Sequence, residues 1–260
     1  MLSTYTSYQL IARDMQKSLA RTASDPVIAR ETEYYLKNIE SVKSVDDLLN
    51  NRRLYNYAMK ASGLEDMIYA KAFMRKVLVE GIDSKDSFAN RLTDERFKEF
   101  AKVFNFARYG STTTRSEGVK KGVVDNYIRQ SLELSAGEED QGVRLALYFE
   151  RKASGIKGPF DILADPALSQ VVRTALGIPE EVAGANVDAQ AAMIERRLDI
   201  SSLNDPKELQ RFIKRFTTLW DAKNNAASSP VLTLFSGASA SSGMSADLLV
   251  SLQRIKRGSL

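Results

Sequence analysis

Apolar residues recur along this chain at steps of three and four, the spacing that lines one face of an α-helix. Between Leu64 and Val79 the stripe is Met67, Ile68, Ala72, Met74, Val77 and Leu78; later ones are Phe97, Phe100, Ala101, Val103 and Phe104, and Leu209, Phe212, Ile213, Phe216 and Trp220. The segment from Val123 to Leu134 and that from Val143 to Phe149 read as central helices joined across Ser135-Ala136-Gly137. Alternating β-branched and aromatic runs bounded by hairpin turns are lacking, so the pattern predicts an all-α fold. Each stripe needs a partner to cover it.

Helix boundaries are written in the polar residues. Asp25-Pro26, Asp165-Pro166 and Asp205-Pro206 each put a capping carboxylate before a proline suited to the first helical position. Gly63, Gly81, Gly110, Gly155 and Gly177 each follow an apolar-periodic stretch, where a left-handed cap is expected.

A shift of 114 residues lays Tyr34 to Leu64 over Tyr148 to Ile178 without a gap. Tyr34/Tyr148, Lys43/Lys157, Asp47/Asp161, Leu49/Leu163, Leu54/Leu168, Ala61/Ala175 and Gly63/Gly177 coincide, and apolar character agrees at Tyr35/Phe149, Val42/Ile156, Leu48/Ile162 and Leu64/Ile178. With small insertions the pairing continues from 70–78 onto 190–198, and from 91–104 onto 202–216. The expected architecture is a helical body over residues 1–223 with two duplicated subdomains, near 25–110 and 140–223, packed as one elongated or bilobal helical bundle. Two copies are too few for a solenoid.

The end of the chain changes character. Residues 224–246 read as a linker, and in Ser236 to Ala246 ten of eleven residues are Ser, Gly or Ala, too little apolar surface to offset ordering entropy. Periodicity returns in residues 247–260, a short amphipathic helix with Leu248, Leu249, Leu252 and Ile255 on one face. Asp247 stands in its first turn, and Arg254, Lys256 and Arg257 in its last. Such a helix would dock in a partner's groove, fold back as a last core helix, or lay its basic end on an anionic membrane surface.

Composition narrows the chemistry. The 260 residues include no histidine and no cysteine, which removes imidazole bases, serine–histidine triads, thiolate nucleophiles, disulfides and the usual zinc sites. The formal charge is +4, but the basic doublets Arg52-Arg53, Lys120-Lys121, Arg196-Arg197 and Lys256-Arg257 are dispersed, so no nucleic-acid partner is expected. No apolar run is long enough to span a membrane and the N-terminus lacks a secretory pattern, which predicts a cytoplasmic protein.

Asp47 and Asp161 could be read as paired acid–base carboxylates, but each lies near a helix start, where a carboxylate caps free N–H groups. Neither the acidic runs Glu138-Glu139-Asp140 and Glu180-Glu181 nor the segment Gly118 to Gly122 has the spacing of a calcium or phosphate loop. Met59, Met67, Met74 and Phe73 read as packing residues. The segment Phe104 to Gly110 ends a helix with Arg108 and Tyr109, a candidate interaction spot if they are exposed and otherwise aromatic packing with a basic C-terminus. The residues thus point to no catalytic group, metal site or cofactor.

The segments 58–81, 86–92, 104–110, 142–153, 161–177 and 205–216, in this order, resemble the bacterial family of domain of unknown function 1217 from about Tyr8 to Trp220. The resemblance implies an alphaproteobacterial, all-helical protein whose genes often lie among flagellar genes, with no catalytic residues to carry over. A non-enzymatic, flagellum-associated adaptor, chaperone-like or accessory protein is the expectation, with a flagellar component as partner. The partner contacts would be Leu248, Leu249, Leu252, Ile255, Arg254, Lys256 and Arg257, with Arg108 and Tyr109. A small-molecule or lipid-binding module between the repeats is the alternative.

Overall fold

The computed structural model describes residues 2–224. In chain order its helices are α1 (Thr4–Ala12), α2 (Met15–Ala23), α3 (Pro26–Asn38), α4 (Val45–Asn50), α5 (Arg52–Ala61), α6 (Lys71–Glu80), α7 (Glu95–Val103), α8 (Phe106–Tyr109), α9 (Val123–Glu139), α10 (Gln141–Lys152), α11 (Pro159–Ala164), α12 (Pro166–Leu176), α13 (Val187–Glu195) and α14 (Pro206–Asn224). Short 3₁₀ turns link many of them, and the described residues contain no strand. The fold is all-α.

The capping carboxylates do what their positions imply. Asp25 accepts from the N–H groups of Val27 and Ile28, Asp165 from Ala167 and Leu168, and Asp205 from Lys207 and Glu208. Of the five glycine stops, Gly63, Gly81, Gly110 and Gly177 have positive φ; Gly155 closes a 3₁₀ turn without it.

The helical stretch from Leu64 to Val79 is divided: Glu65–Met67 forms a 3₁₀ turn and the α-helix starts at Lys71. A second difference lies at Ser135-Ala136-Gly137, which is not a connection. Helix α9 runs through it, and the break falls at Asp140, whose carboxylate caps α10 by accepting from Gly142 N–H at 2.7 Å. Gly137 is there because α9 and α10 approach closely: a Cβ on it would stand 2.8 Å from Arg144 Cδ. The missing side chain permits packing rather than a turn.

Two hydrophobic cores organise the chain. The first gathers buried residues from Tyr35 to Tyr127, including Leu48, Leu54, Met59, Met74, Phe100 and Phe104. The second gathers Val143 to Trp220, including Phe149, Ile162, Val171, Ile213 and Phe216, and recruits Tyr8 from α1. The same succession of turns and helices passes through both. The 3₁₀ turns at Ile39–Ser41 and Ala153–Gly155, helices α4 and α11, and helices α5 and α12 each begin 114 residues apart. Tyr35 and Phe149, Leu48 and Ile162, Leu54 and Leu168, and Ala61 and Ala175 are buried as pairs. Gly63 and Gly177 both take positive φ.

The pairing ends where the chain closes each core. Helix α14 packs on α10 and α12, whereas the long helix packed on the corresponding α3 and α5 is α9; α7, which the sequence pairing sets against the start of α14, packs on α6 instead. A stack of three tyrosines fixes α9 in that seat: Tyr35 and Tyr57 have ring centroids 4.4 Å apart, and Tyr57 and Tyr127 3.8 Å. Helix α9 then lays another face against α10 and α2, so it belongs to both halves.

Candidate functional site

Arg108 and Tyr109 are displayed at the surface. The buried side chain of Asn105 starts α8 by accepting from Arg108 N–H at 3.1 Å, and buried Phe104 and Phe106 anchor the turn beneath it. Tyr109 is left 56% exposed, with the Arg108 guanidinium 5.8 Å from its ring centroid and 3.8 Å from the Asp83 carboxylate. The other expected contacts, Leu248, Leu249, Leu252, Arg254, Ile255, Lys256 and Arg257, lie outside the described residues, as do the rest of residues 225–260. Asn224, expected to open the linker, is the last residue of α14.

Asp47 and Asp161 are committed locally. Each carboxylate accepts from two backbone N–H groups at the start of its own short helix, the capping role the sequence favours. Among the described residues, no three or more Asp and Glu side chains converge as metal ligands would.

The strongest buried electrostatics lie where α9 meets α10. Glu133, 1% exposed, receives Arg151 in a two-point grip, Nε to Oε1 at 2.8 Å and a terminal nitrogen to Oε2 at 2.9 Å. Arg129, one turn earlier on α9, adds its Nε at 2.9 Å and donates through another nitrogen to the Leu147 carbonyl at 3.2 Å. Beside them the Tyr148 hydroxyl donates to Asp165 Oδ2 at 2.5 Å. Burial, reinforced by the Asp165 charge, pushes the Tyr148 phenol well above its usual range. Burial and the neighbouring Arg151 charge depress the Lys152 ammonium. This network ties α9, α10 and α12 together; its charged groups are spent largely on one another.

Helix α14 carries three exposed cations within five residues. Arg211, Lys214, Arg215, Thr218 and Leu219 are all exposed and share one face of the helix. Their opposite face, Phe212, Ile213, Phe216 and Trp220, fills the second core. Arg211 meets Glu208 at 2.5 Å, and Lys214 Nζ lies 5.6 Å from the ring of Tyr5 on α1. In the sequence, the apolar stripe from Leu209 to Trp220 is the dominant pattern of this helix. The spacing of Arg211, Lys214 and Arg215 was the available signal, but helical surfaces are ordinarily charged.

A third feature is a cavity of about 410 Å³ between α2, the start of α3 and α9, lined in part by Ile11, Ile28, Leu132 and Ser131. Ser131 is 5% exposed, and its hydroxyl has no hydrogen-bond partner among the described residues. Helix α2 contributes no buried residue where it covers this space.

Among the described residues no helix is long and apolar enough to cross a membrane. None of the curated proteins matches the chain. The crystal structure of a protein from Agrobacterium tumefaciens is similar to it, at 52% sequence identity and a TM-score of 0.79, over 86% of this chain and 97% of that one. A family model described as Protein of unknown function (DUF1217) matches residues 61–209, more than half of the chain, and the chain belongs to that family.

Proposed function

We propose that this protein is a non-enzymatic, flagellum-associated adaptor, chaperone-like or accessory component that acts through protein–protein contacts. The observation that carries the reading is the division of its charges. Inside, Glu133 is consumed by Arg129 and Arg151, and Tyr148 by Asp165. Outside, Arg108 with Tyr109 and the Arg211, Lys214 and Arg215 row are offered to solvent. Arginine and tyrosine on a rigid support suit protein recognition. The flagellar assignment comes from the family resemblance. It is tested by affinity capture from native lysate with the full chain and with a chain truncated after Phe235. Flagellar components held by the full chain alone assign the contact to residues 236–260, and components held by both assign it to the helical body. Capture of none by either form removes the reading.

The cavity beneath α2 favours a second reading, a small-molecule or lipid-binding module, because an unpartnered buried hydroxyl lies among its lining residues. A thermal-shift screen in which no lipid or metabolite raises Tm counts against it.

A further inference from the structure

We propose that the outward row of α14, from Arg211 to Leu219, seats an acidic amphipathic helix of a partner protein, laid against α14 much as α10 lies against α9. The proposal rests on the adaptor reading and names the chemistry of the partner.

Helices α9 and α14 hold corresponding seats, each packed on two helices that match across the 114-residue shift. Helix α9 is covered on its remaining sides by α10 and α2. Helix α14 has α1 on one flank, and on another Arg211, Lys214, Arg215, Thr218 and Leu219 stand exposed. Leu219, 37% exposed, adds an apolar point at the end of this open helix face. Arg211 to Leu219 covers roughly 12 Å at 1.5 Å per residue, about two turns, the footprint of a short helix crossing rather than of an extended surface.

Three cations fall within five residues, and among the described residues Arg215 has no acidic partner. Like charges placed opposite this row would repel it, which excludes the chain's own residues 247–260: they contain Arg254, Lys256 and Arg257 against the single acid Asp247. A membrane surface fits less well than a protein helix, because insertion needs several apolar side chains and this row offers only Leu219. Carboxylates at helical spacing would pair with the three cations while an apolar neighbour covered Leu219.

The test is fluorescence anisotropy on the full-length chain, with a labelled helix of glutamate and leucine about four turns long as the probe. Saturable binding that weakens with salt, and that falls about tenfold or more in R211E/K214E/R215E, is the expected result. The variant K37E/K85E/K102E, which reverses three exposed lysines away from α14, serves as the charge-matched control and should bind as the parent does. Circular dichroism establishes that each variant keeps its helices. Absent binding, equal loss in the control variant, or a preference for vesicles containing phosphatidylglycerol over the peptide each overturns the proposal. If the peptide fails while flagellar components are still captured, the α14 seat is wrong and the adaptor reading stands; if capture fails too, both fall.

Discussion

Asp47 and Asp161, 114 residues apart, make the same pair of hydrogen bonds. Asp47 Oδ2 accepts from the N–H groups of Lys43 and Ser44 at 2.9 and 3.0 Å, and Asp161 Oδ2 from those of Lys157 and Gly158 at 2.8 and 3.2 Å. Each closes the entrance to a six-residue helix too short to persist without a cap and tertiary cover. The partner in the second copy is glycine where the first has serine, so the reciprocal Asp47 N–H to Ser44 Oγ bond at 3.1 Å has no counterpart there.

The backbone N–H of Lys43, foremost, and then the Ser44 contacts hold the Asp47 carboxyl below its usual range. A lowered folded-state value gives stability that is present above the unfolded value and lost as pH falls through the folded one. Asp47→Asn should therefore be less stable than the parent near neutrality, with the gap closing on acidification. Urea midpoints measured across that range check it; a gap independent of pH counts against the carboxylate. Asp161→Ala should cost about 1 kcal/mol at neutral pH.

Glu133→Gln should be among the costliest single changes in the chain. It leaves Arg129 and Arg151 packed against a neutral group in a site where Glu133 is 1% exposed, and breaking such a buried pair costs about 3–5 kcal/mol. Arg151→Met should be similarly harmful, and the combined Glu133→Leu/Arg151→Met variant should recover part of the loss. A double-mutant cycle from urea denaturation measures the coupling, and simple additivity would refute it.

Gly142→Ala should destabilise the second core. An added Cβ would overlap Trp220 Cδ1 and stand 2.5 Å from its Nε1 and 2.8 Å from Thr4 Cγ2, so the indole must move. The expected cost is about 1–3 kcal/mol. Trp220 is the sole tryptophan, and its fluorescence should shift to the red as the ring loses cover. Unchanged emission and Tm would show that α10 and α14 separate freely.

Alkaline pH should loosen the tyrosine stack that seats α9. Burial, with smaller contributions from nearby carboxylates, raises the Tyr127 phenol from its ordinary 10.0 to about 12, and Tyr57 and Tyr35 are also raised, chiefly by burial. A raised folded-state value means stability that is complete below the unfolded value and lost as pH rises through the folded one. The contribution of Tyr127 should disappear between pH 10 and about 12. Tyrosinate absorbance rising together with loss of helical circular dichroism is the expected signature; tyrosines ionising near pH 10 in the folded protein would contradict it.

What the sequence determined by itself is the local grammar. Asp25-Pro26, Asp165-Pro166 and Asp205-Pro206 mark helix starts because a cap acts on N–H groups two or three residues away. The 114-residue echo was legible for the same reason: Asp47 with Asp161, and Gly63 with Gly177, satisfy short-range backbone demands. The apolar stripes of α7 and α14 likewise announced which side each helix would bury. Only the tertiary structure decided what covers those stripes. It seated α9 rather than α7 on α3 and α5, because the Tyr35, Tyr57 and Tyr127 rings meet across 92 residues of sequence. It joined the ends of the described chain through the Thr4 hydroxyl and Asp221 Oδ1 at 2.6 Å. It also closed Arg151 onto Glu133 while leaving Arg211, Lys214 and Arg215 in solvent, although all are arginine or lysine on amphipathic helices. A charge's fate depends on which helix lies opposite, and that is set by contacts far apart in the chain, which spacing along one helix does not encode.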